Sequence, residues 1–370
     1  MEPTTTTEDP GGLHIVRSHV LEAKWGEFRT RVAFPCALGL TLSVVLGLVT
    51  GRPAWGLIMA GGALAVGFGS FQMIGRSRTA AMIVGTLGIA LSTLAGSLLS
   101  VTEAGLLTVA VLAGFGAGWL TALGPGVAWI GLQCAIAAII SSGFPSFGPP
   151  ALERGSLILA GGLLQTLIVL FFRRLHTHFH APPKEDPYEG LRPAVRLLRE
   201  NFQWSSASFR YGIHLALTLA AAALAARVFA VSNGYWVPMT ALLVLKPDPH
   251  HTLGRGLARI AGTLVGAGVA TLLAVWLHPN PVALAGFVAL FGWLCFSLVN
   301  VNYGLFSACI TAYIAFLLAF TGQPTKNIAI HRIANTLMGG CIALVAYAPG
   351  IARRRAAPEA PGGGPRDGGL

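Results

Sequence analysis

Apolar segments of roughly 17 to 21 residues recur along this chain from Arg31 to Gly350, each close to the length that crosses about 30 Å of hydrocarbon at 1.5 Å per residue. That pattern predicts an all-α polytopic membrane protein. Its 370 residues are 54% hydrophobic and only 11% charged, with mean hydropathy +0.67, too little charge for a soluble chain of this length. The 25 basic and 14 acidic residues are also unequally placed, because no acid falls inside a hydrophobic stretch. Polar residues near lipid are therefore arginine, histidine or amide, which suits handling of an anion and not carriage of a cation.

Several function classes drop out on this basis. The pI near 10 does not indicate nucleic acid, since the basic residues lie mostly between apolar segments, where positive charge sets topology. Cys36, Cys134, Cys295, Cys309 and Cys341 are scattered singly, as small packing residues are, with no metal-like spacing. His176, His178 and His180 alternate beside Arg173 and Arg174, but a helix would spread them and no carboxylate is near, so no metal or other cofactor is implied. His250 and His251 read as solvated loop residues. The sequence contains no Walker A pattern, GxSxG elbow or HExxH to mark an ATPase or hydrolase. Residues 1–12 are Thr-rich and acidic, unlike a cleavable signal, so the first span is expected to stay in the mature protein.

Twelve spans are predicted, at 31–50, 54–72, 79–100, 104–122, 125–142 and 155–172, then 209–231, 234–246, 257–277, 282–299, 303–320 and 333–350. With the N-terminus inside, 20 Lys and Arg residues fall on the cytoplasmic side, and Arg52, Arg154, Arg227, Lys326 and Arg332 fall outside. Positive charge marks the cytoplasmic side, so both termini are expected there, in the plasma membrane. The implied organisation is a cytoplasmic segment 1–30, a membrane unit 31–172, a linker 173–208, a second unit 209–350 and a disordered tail 351–370. Within the linker, Leu191, Val195 and Leu198 alternate with Arg192, Arg196 and Arg199, the pattern of an interfacial helix on an anionic leaflet.

The two units are copies. A shift of 181 residues superposes Phe28-Arg29 on Phe209-Arg210, Trp55 on Trp236, Arg78 on Arg259 and Gly85 on Gly266, and a shift of 178 aligns Arg154 with Arg332 and Gly161-Gly162 with Gly339-Gly340. Six helices per unit means both enter the membrane in the same sense, as parallel repeats forming a fused pseudo-dimer. A transport pathway is expected between them.

The second copy carries a recognisable set of residues: Phe209-Arg210-Tyr211, Tyr235-Trp236-Val237-Pro238-Met239-Thr240, Lys246-Pro247-Asp248, and Arg255 to Thr263 followed by Gly266. This set resembles the fusaric-acid-resistance-like (FUSC) group of inner-membrane proteins, which includes aromatic acid exporters and is related to plant aluminium-activated malate channels. The resemblance implies efflux of organic anions. The first copy matches more loosely, with Ala81-Met82 in place of Gly262-Thr263, and the large cytoplasmic domain of many such exporters is reduced here to a linker.

Candidate substrate-binding residues follow from charge and position. Arg29, Arg78, Arg210 and Arg259 are expected at the cytoplasmic helix ends, either as anchors snorkelling to lipid phosphate or as a positive vestibule for carboxylates. Arg255 lies one turn before Arg259, near Gly262 and Gly266, which permit close helix packing. The stretch from Tyr235 to Leu245 is short, carries Pro238 and ends against Lys246-Pro247, the mark of a broken helix lining a cavity, with Lys246 a further candidate ligand. Within it, Trp236 is a candidate interface anchor or ligand, and Thr240 faces a cavity or its own backbone. Arg154 and Arg332 share a repeat-equivalent place at the outer helix starts, as an anion exit or as anchors. His214, one turn after Arg210, is the candidate for proton coupling.

The leading expectation is thus a non-enzymatic membrane transporter that exports organic, possibly aromatic, carboxylates. Its partners would be the lipid bilayer and the small organic anion, not nucleic acid, with a homo-oligomer left open. A passive anion channel, a non-transporting scaffold and, last, a membrane enzyme are the alternatives.

Overall fold

The computed structural model describes residues 22–75, 77–176, 191–247 and 249–356. Among these the regular structure is helical. The first half contains α1 (Thr30–Val49), α2 (Pro53–Gly67), α3 (Arg78–Leu99), α4 (Glu103–Trp119), α5 (Pro125–Ser142) and α6 (Pro149–His176). A short α7 (Leu191–Glu200) follows. The second half contains α8 (Ala207–Val228), α9 (Trp236–Val244), α10 (Pro249–Leu277), α11 (Pro281–Leu298), α12 (Tyr303–Ala319) and α13 (Thr325–Ala356). Short 3-10 turns extend α2 through Phe68–Phe71 and α4 through Leu120–Leu123.

Local chemistry fixes many of the starts. Pro53, Pro125 and Pro281 stand at first helical positions, where a missing N–H costs nothing. Ser77, Thr102, Asn280 and Asn302 accept from the backbone N–H of Ala80, Gly105, Ala283 and Leu305, satisfying donors that a helix end otherwise leaves open.

Among the described residues, ten helices are long and apolar enough to cross a membrane, so the chain is a multi-pass all-α membrane protein. The seventeen-residue α12 is a shorter apolar helix. The outlier is α9, whose nine residues rise only about 14 Å. It is not lipid-facing, since Trp236 to Leu242 are all buried.

Each half packs by the same pairs. In the first, α2 lies on α1 and α6, α3 on α5 and α6, and α4 on α5. In the second, α9 lies on α8 and α13, α10 on α12 and α13, and α11 on α12. The halves exchange their fourth helices, with α4 on α8 and α11 on α1. Phe28 meets Trp293 of α11 edge-on at 6.1 Å, and Phe209 meets Phe115 of α4 edge-on at 5.6 Å, both at 85°. Along α4 and α8 the backbones themselves touch, because a Cβ on Gly118 would stand 2.4 Å from the Gly212 Cα. Leu40 and Val44 of α1 share an apolar core with Phe291 and Phe296 of α11. These contacts between the halves are mostly apolar, with polar ones such as Thr121–Ser208 at 3.0 Å and Arg227–Glu103 at 3.3 Å beside them.

Three expected boundaries shift. α6 starts at Pro149 and not at 155, α10 at Pro249 and not at 257, and α13 at Thr325 and not at 333. Their first turns are polar or proline-led, and a helix need not end where hydrophobicity does. α13 also continues to Ala356, six residues into the segment expected as tail. The interfacial helix is present as α7, lying on the Leu120–Leu123 turn, with an Arg196–Glu200 ion pair of 2.8 Å. Residues 177–190, including His178 and His180, and the tail from 357 lie outside the described residues.

Candidate functional site

The site is assembled on α9, α10, α12 and α13. Because α13 begins at Thr325, Arg332 is two turns inside the helix and not at its outer start. Arg332 and Arg259 are each 2% exposed. The Arg332 guanidinium lies over the Trp236 ring, 4.0 Å from its centroid, a cation–π contact strengthened by burial. Its Nη2 donates to Thr311 Oγ1 at 3.4 Å, while Nε and Nη1 find no hydrogen-bond partner among the described residues. Arg259 lies within electrostatic reach of Arg332, and its Nε is likewise unpartnered. Thr263 Oγ1 one turn further along α10, Tyr313 OH on α12 and Asn335 Oδ1 on α13 are buried without partners too.

Buried donors are rarely left unsatisfied, and a buried cation costs several kcal/mol unless it is paired. The described ion pairs are Arg29–Glu27, Arg196–Glu200 and Arg227–Glu103, none of which involves these two arginines. From 209 to 350 the chain carries one carboxylate, Asp248, which lies outside the described residues. The protein thus builds two guanidiniums into a low-dielectric interior with open donors, an arrangement that can accept an anion.

Close helix approach makes room for this. A Cβ on Gly262 would stand 2.4 Å from the Gly304 carbonyl oxygen, and one on Gly266 would collide with the Ala308 carbonyl, so α10 and α12 meet backbone to backbone around Arg259. Gly339 does the same for α13 against Val237 and Thr240 of α9. Thr240, 1% exposed, is held in that contact. Trp236 is 7% exposed, a buried platform and not an interface anchor.

One turn towards the end of α9, Arg255 lies on the Tyr303 ring at 3.8 Å and reaches the Leu243 carbonyl through Nε at 3.4 Å. Lys246 follows the last turn of α9, half-buried and within electrostatic reach of Arg255. The carbonyls that α9 leaves open are met by side chains: Tyr211 OH donates to Leu245 O at 3.0 Å and Tyr347 OH to Pro247 O at 3.2 Å.

The remaining sequence candidates are not part of this assembly. Arg29 is exposed and paired with Glu27 at 2.6 Å, and Arg78 is exposed at the first position of α3. Arg210 turns to the carbonyls of Trp204 and Ser205 at 3.0 and 2.7 Å. Arg154 donates to Ser97 Oγ at 2.7 Å and the Phe144 carbonyl at 2.8 Å, closing a loop. His214 Nε2 lies 2.9 Å from the Ala346 carbonyl, which can only accept, so the proton is on Nε2. The four-arginine vestibule is therefore not formed by these positions. Where the second half has Ser307 and Thr263, the first has Trp129 and Met82, both in contact with Gly69. Thr311, Tyr303 and Tyr313 were not candidates in the sequence, although a polar residue in so apolar a stretch was a signal available there.

The fold and site define a polytopic α-helical membrane protein whose buried charges are cations. Residues 219–346 match the family model for fusaric acid resistance protein-like proteins. It is 28% identical over 162 residues to the inner membrane protein YccS of Escherichia coli, covering 44% of this chain and 22% of that protein. It is similarly 28% identical over 151 residues to the membrane protein YvaC of Bacillus subtilis, covering 40% of this chain and 24% of that protein. The matched part thus spans about a fifth of the length of such relatives. No solved structure matches.

Proposed function

We propose that this chain is a transporter that moves organic carboxylates out across the cell's inner membrane, through a route inside the second half. The observation that carries this reading is the buried pair Arg259 and Arg332, with unpartnered donors and no carboxylate among the described residues of 209–350. A carboxylate bridging the two would satisfy both charges. Trp236 offers an aromatic face beside it, which suits an aromatic acid. Twelve crossings, parallel repeats and cytoplasmic termini complete the proposal. They are supported by the positive-inside bias, the shared packing pairs and the matched Phe28–Trp293 and Phe209–Phe115 contacts. The inner-membrane placement rests on the name of YccS.

A uniporter or channel is the second reading, favoured by the absence of an acid from the described site. An inside-negative potential drives a monovalent anion outward by about 2.3 kcal/mol per 100 mV, so no proton carrier is required. The test is reconstitution into liposomes with a panel of carboxylates. Efflux should fall at least tenfold in Arg259→Gln and in Arg332→Gln, roughly the 1.4 kcal/mol of one lost charge-assisted contact. Equal flux in the wild type and the double variant would remove the assignment.

A further inference from the structure

The donors at the carbonyl end of α9 stand apart from the buried pair. Arg255 lies with its guanidinium carbon over the Tyr303 ring, 3.8 Å from the ring centroid. Its one hydrogen bond is the long Nε contact to Leu243 O. Among the described residues no hydrogen bond or ion pair of the Lys246 ammonium is seen, and the Tyr303 hydroxyl is buried without a partner. Arg255 precedes Arg259 by one helical turn, a rise of about 6 Å on α10.

A purely structural role for the two cations is to offset the partial negative charge at the end of α9. That role does not require both: Arg255 reaches the last-turn carbonyl of Leu243 and Tyr211 satisfies that of Leu245, which leaves no such task for Lys246. The geometry points to a second binding station here, resting on the anion-transport reading, in which Lys246 and Arg255 hold a monocarboxylate between them with the Tyr303 hydroxyl as a further donor. From this station the anion passes one turn along α10 to Arg259 and Arg332. Transfer between two cationic stations a short step apart lowers the cost of leaving either.

Lys246 gives a readout independent of flux. The full chain in nanodiscs is treated with an amine-reactive acetylating ester, and acetylation at each lysine is followed by mass spectrometry in sodium benzoate or sodium acetate, against sodium fluoride at equal ionic strength. Lys24, Lys184 and Lys326 serve as internal references. A carboxylate should slow Lys246 at least fivefold, about 1 kcal/mol, and leave the other three unchanged. The protection should persist in the Arg259→Gln/Arg332→Gln double variant, disappear in Arg255→Gln and return in part in Arg255→Lys. Absence of protection by either carboxylate overturns the station, as does its loss in the double variant, which would mean one site only. Faster Lys246 acetylation in Arg255→Gln with and without carboxylate, and no protection in the wild type, would assign Arg255 to capping alone. Intact protection with no carboxylate flux supports the station and refutes the transport reading separately.

Discussion

The Arg332 guanidinium rests on the Trp236 indole, 4.0 Å from its centroid, across the junction of α13 and α9. The contact orients a buried cation by one of its faces and leaves its edges open, so Trp236 positions Arg332 as well as walling the site. Trp236→Leu should raise the apparent KM for a carboxylate about tenfold, near the upper range for a desolvated cation–π contact, with Trp236→Phe intermediate. Initial-rate measurements in proteoliposomes give the comparison, and a change confined to maximal rate would contradict the positioning role.

Arg154 and Arg332 are equivalent by sequence but not by task. Arg154→Gln removes bonds to Ser97 and Phe144 and should lower stability by about 1–3 kcal/mol while leaving the KM unchanged. Thermal unfolding in detergent, paired with transport, separates the two effects.

The α4–α8 contact has no room for a side chain at Gly118. Gly118→Val should destabilise by about 1–3 kcal/mol or more, whereas Gly116→Ala, with nothing within 4 Å of its Cβ, should be tolerated. Equal melting temperatures for the two variants would show that the helices can separate without cost.

His214 Nε2 donates to the Ala346 carbonyl, and no carboxylate stands among the described residues of 209–350 to carry protons. Flux should therefore follow membrane potential and not an imposed pH gradient, and His214→Gln should leave that response intact. The measurement is efflux with voltage clamped and pH varied independently. A gradient-dependent flux that His214→Gln abolishes would restore the proton-coupled exporter.

The proposed twelve crossings put both ends of the chain on one side, and the positive-inside bias assigns that side to the cytoplasm in the proposal. Reporter fusions near Lys184 and after Gly350 should both report that side. An outside signal from either fusion would reject the twelve-crossing topology.

Helix positions were legible because apolar runs, Pro at first positions and Asn or Thr caps agree, as at Asn280-Pro281 and Asn302-Tyr303. The aligned residues Phe28 and Phe209 each make an edge-on ring contact with the opposite half, which supports the proposed duplication. Depth was not legible. Hydrophobicity placed the last helix at 333, and with it Arg332 at the surface, whereas the polar turns from Thr325 are also helical and carry the arginine inward. Nor could composition separate Arg259, buried in the third turn of α10, from Arg78, exposed at the first position of α3. Both open an apolar run, and only the ten residues from Pro249 to Ala258 distinguish them. Trp236 read as a membrane-surface aromatic because the burial of a nine-residue helix is decided by its neighbours.

Those nine residues of α9 have an electrical consequence. Where a full span insulates about 30 Å, a helix of about 14 Å with water reaching both of its ends would confine the voltage drop to roughly half the distance and double the local field. An anion crossing that short barrier would do most of its electrical work in one step between Arg255 and Arg332, so the rate-limiting event should carry most of a unit gating charge.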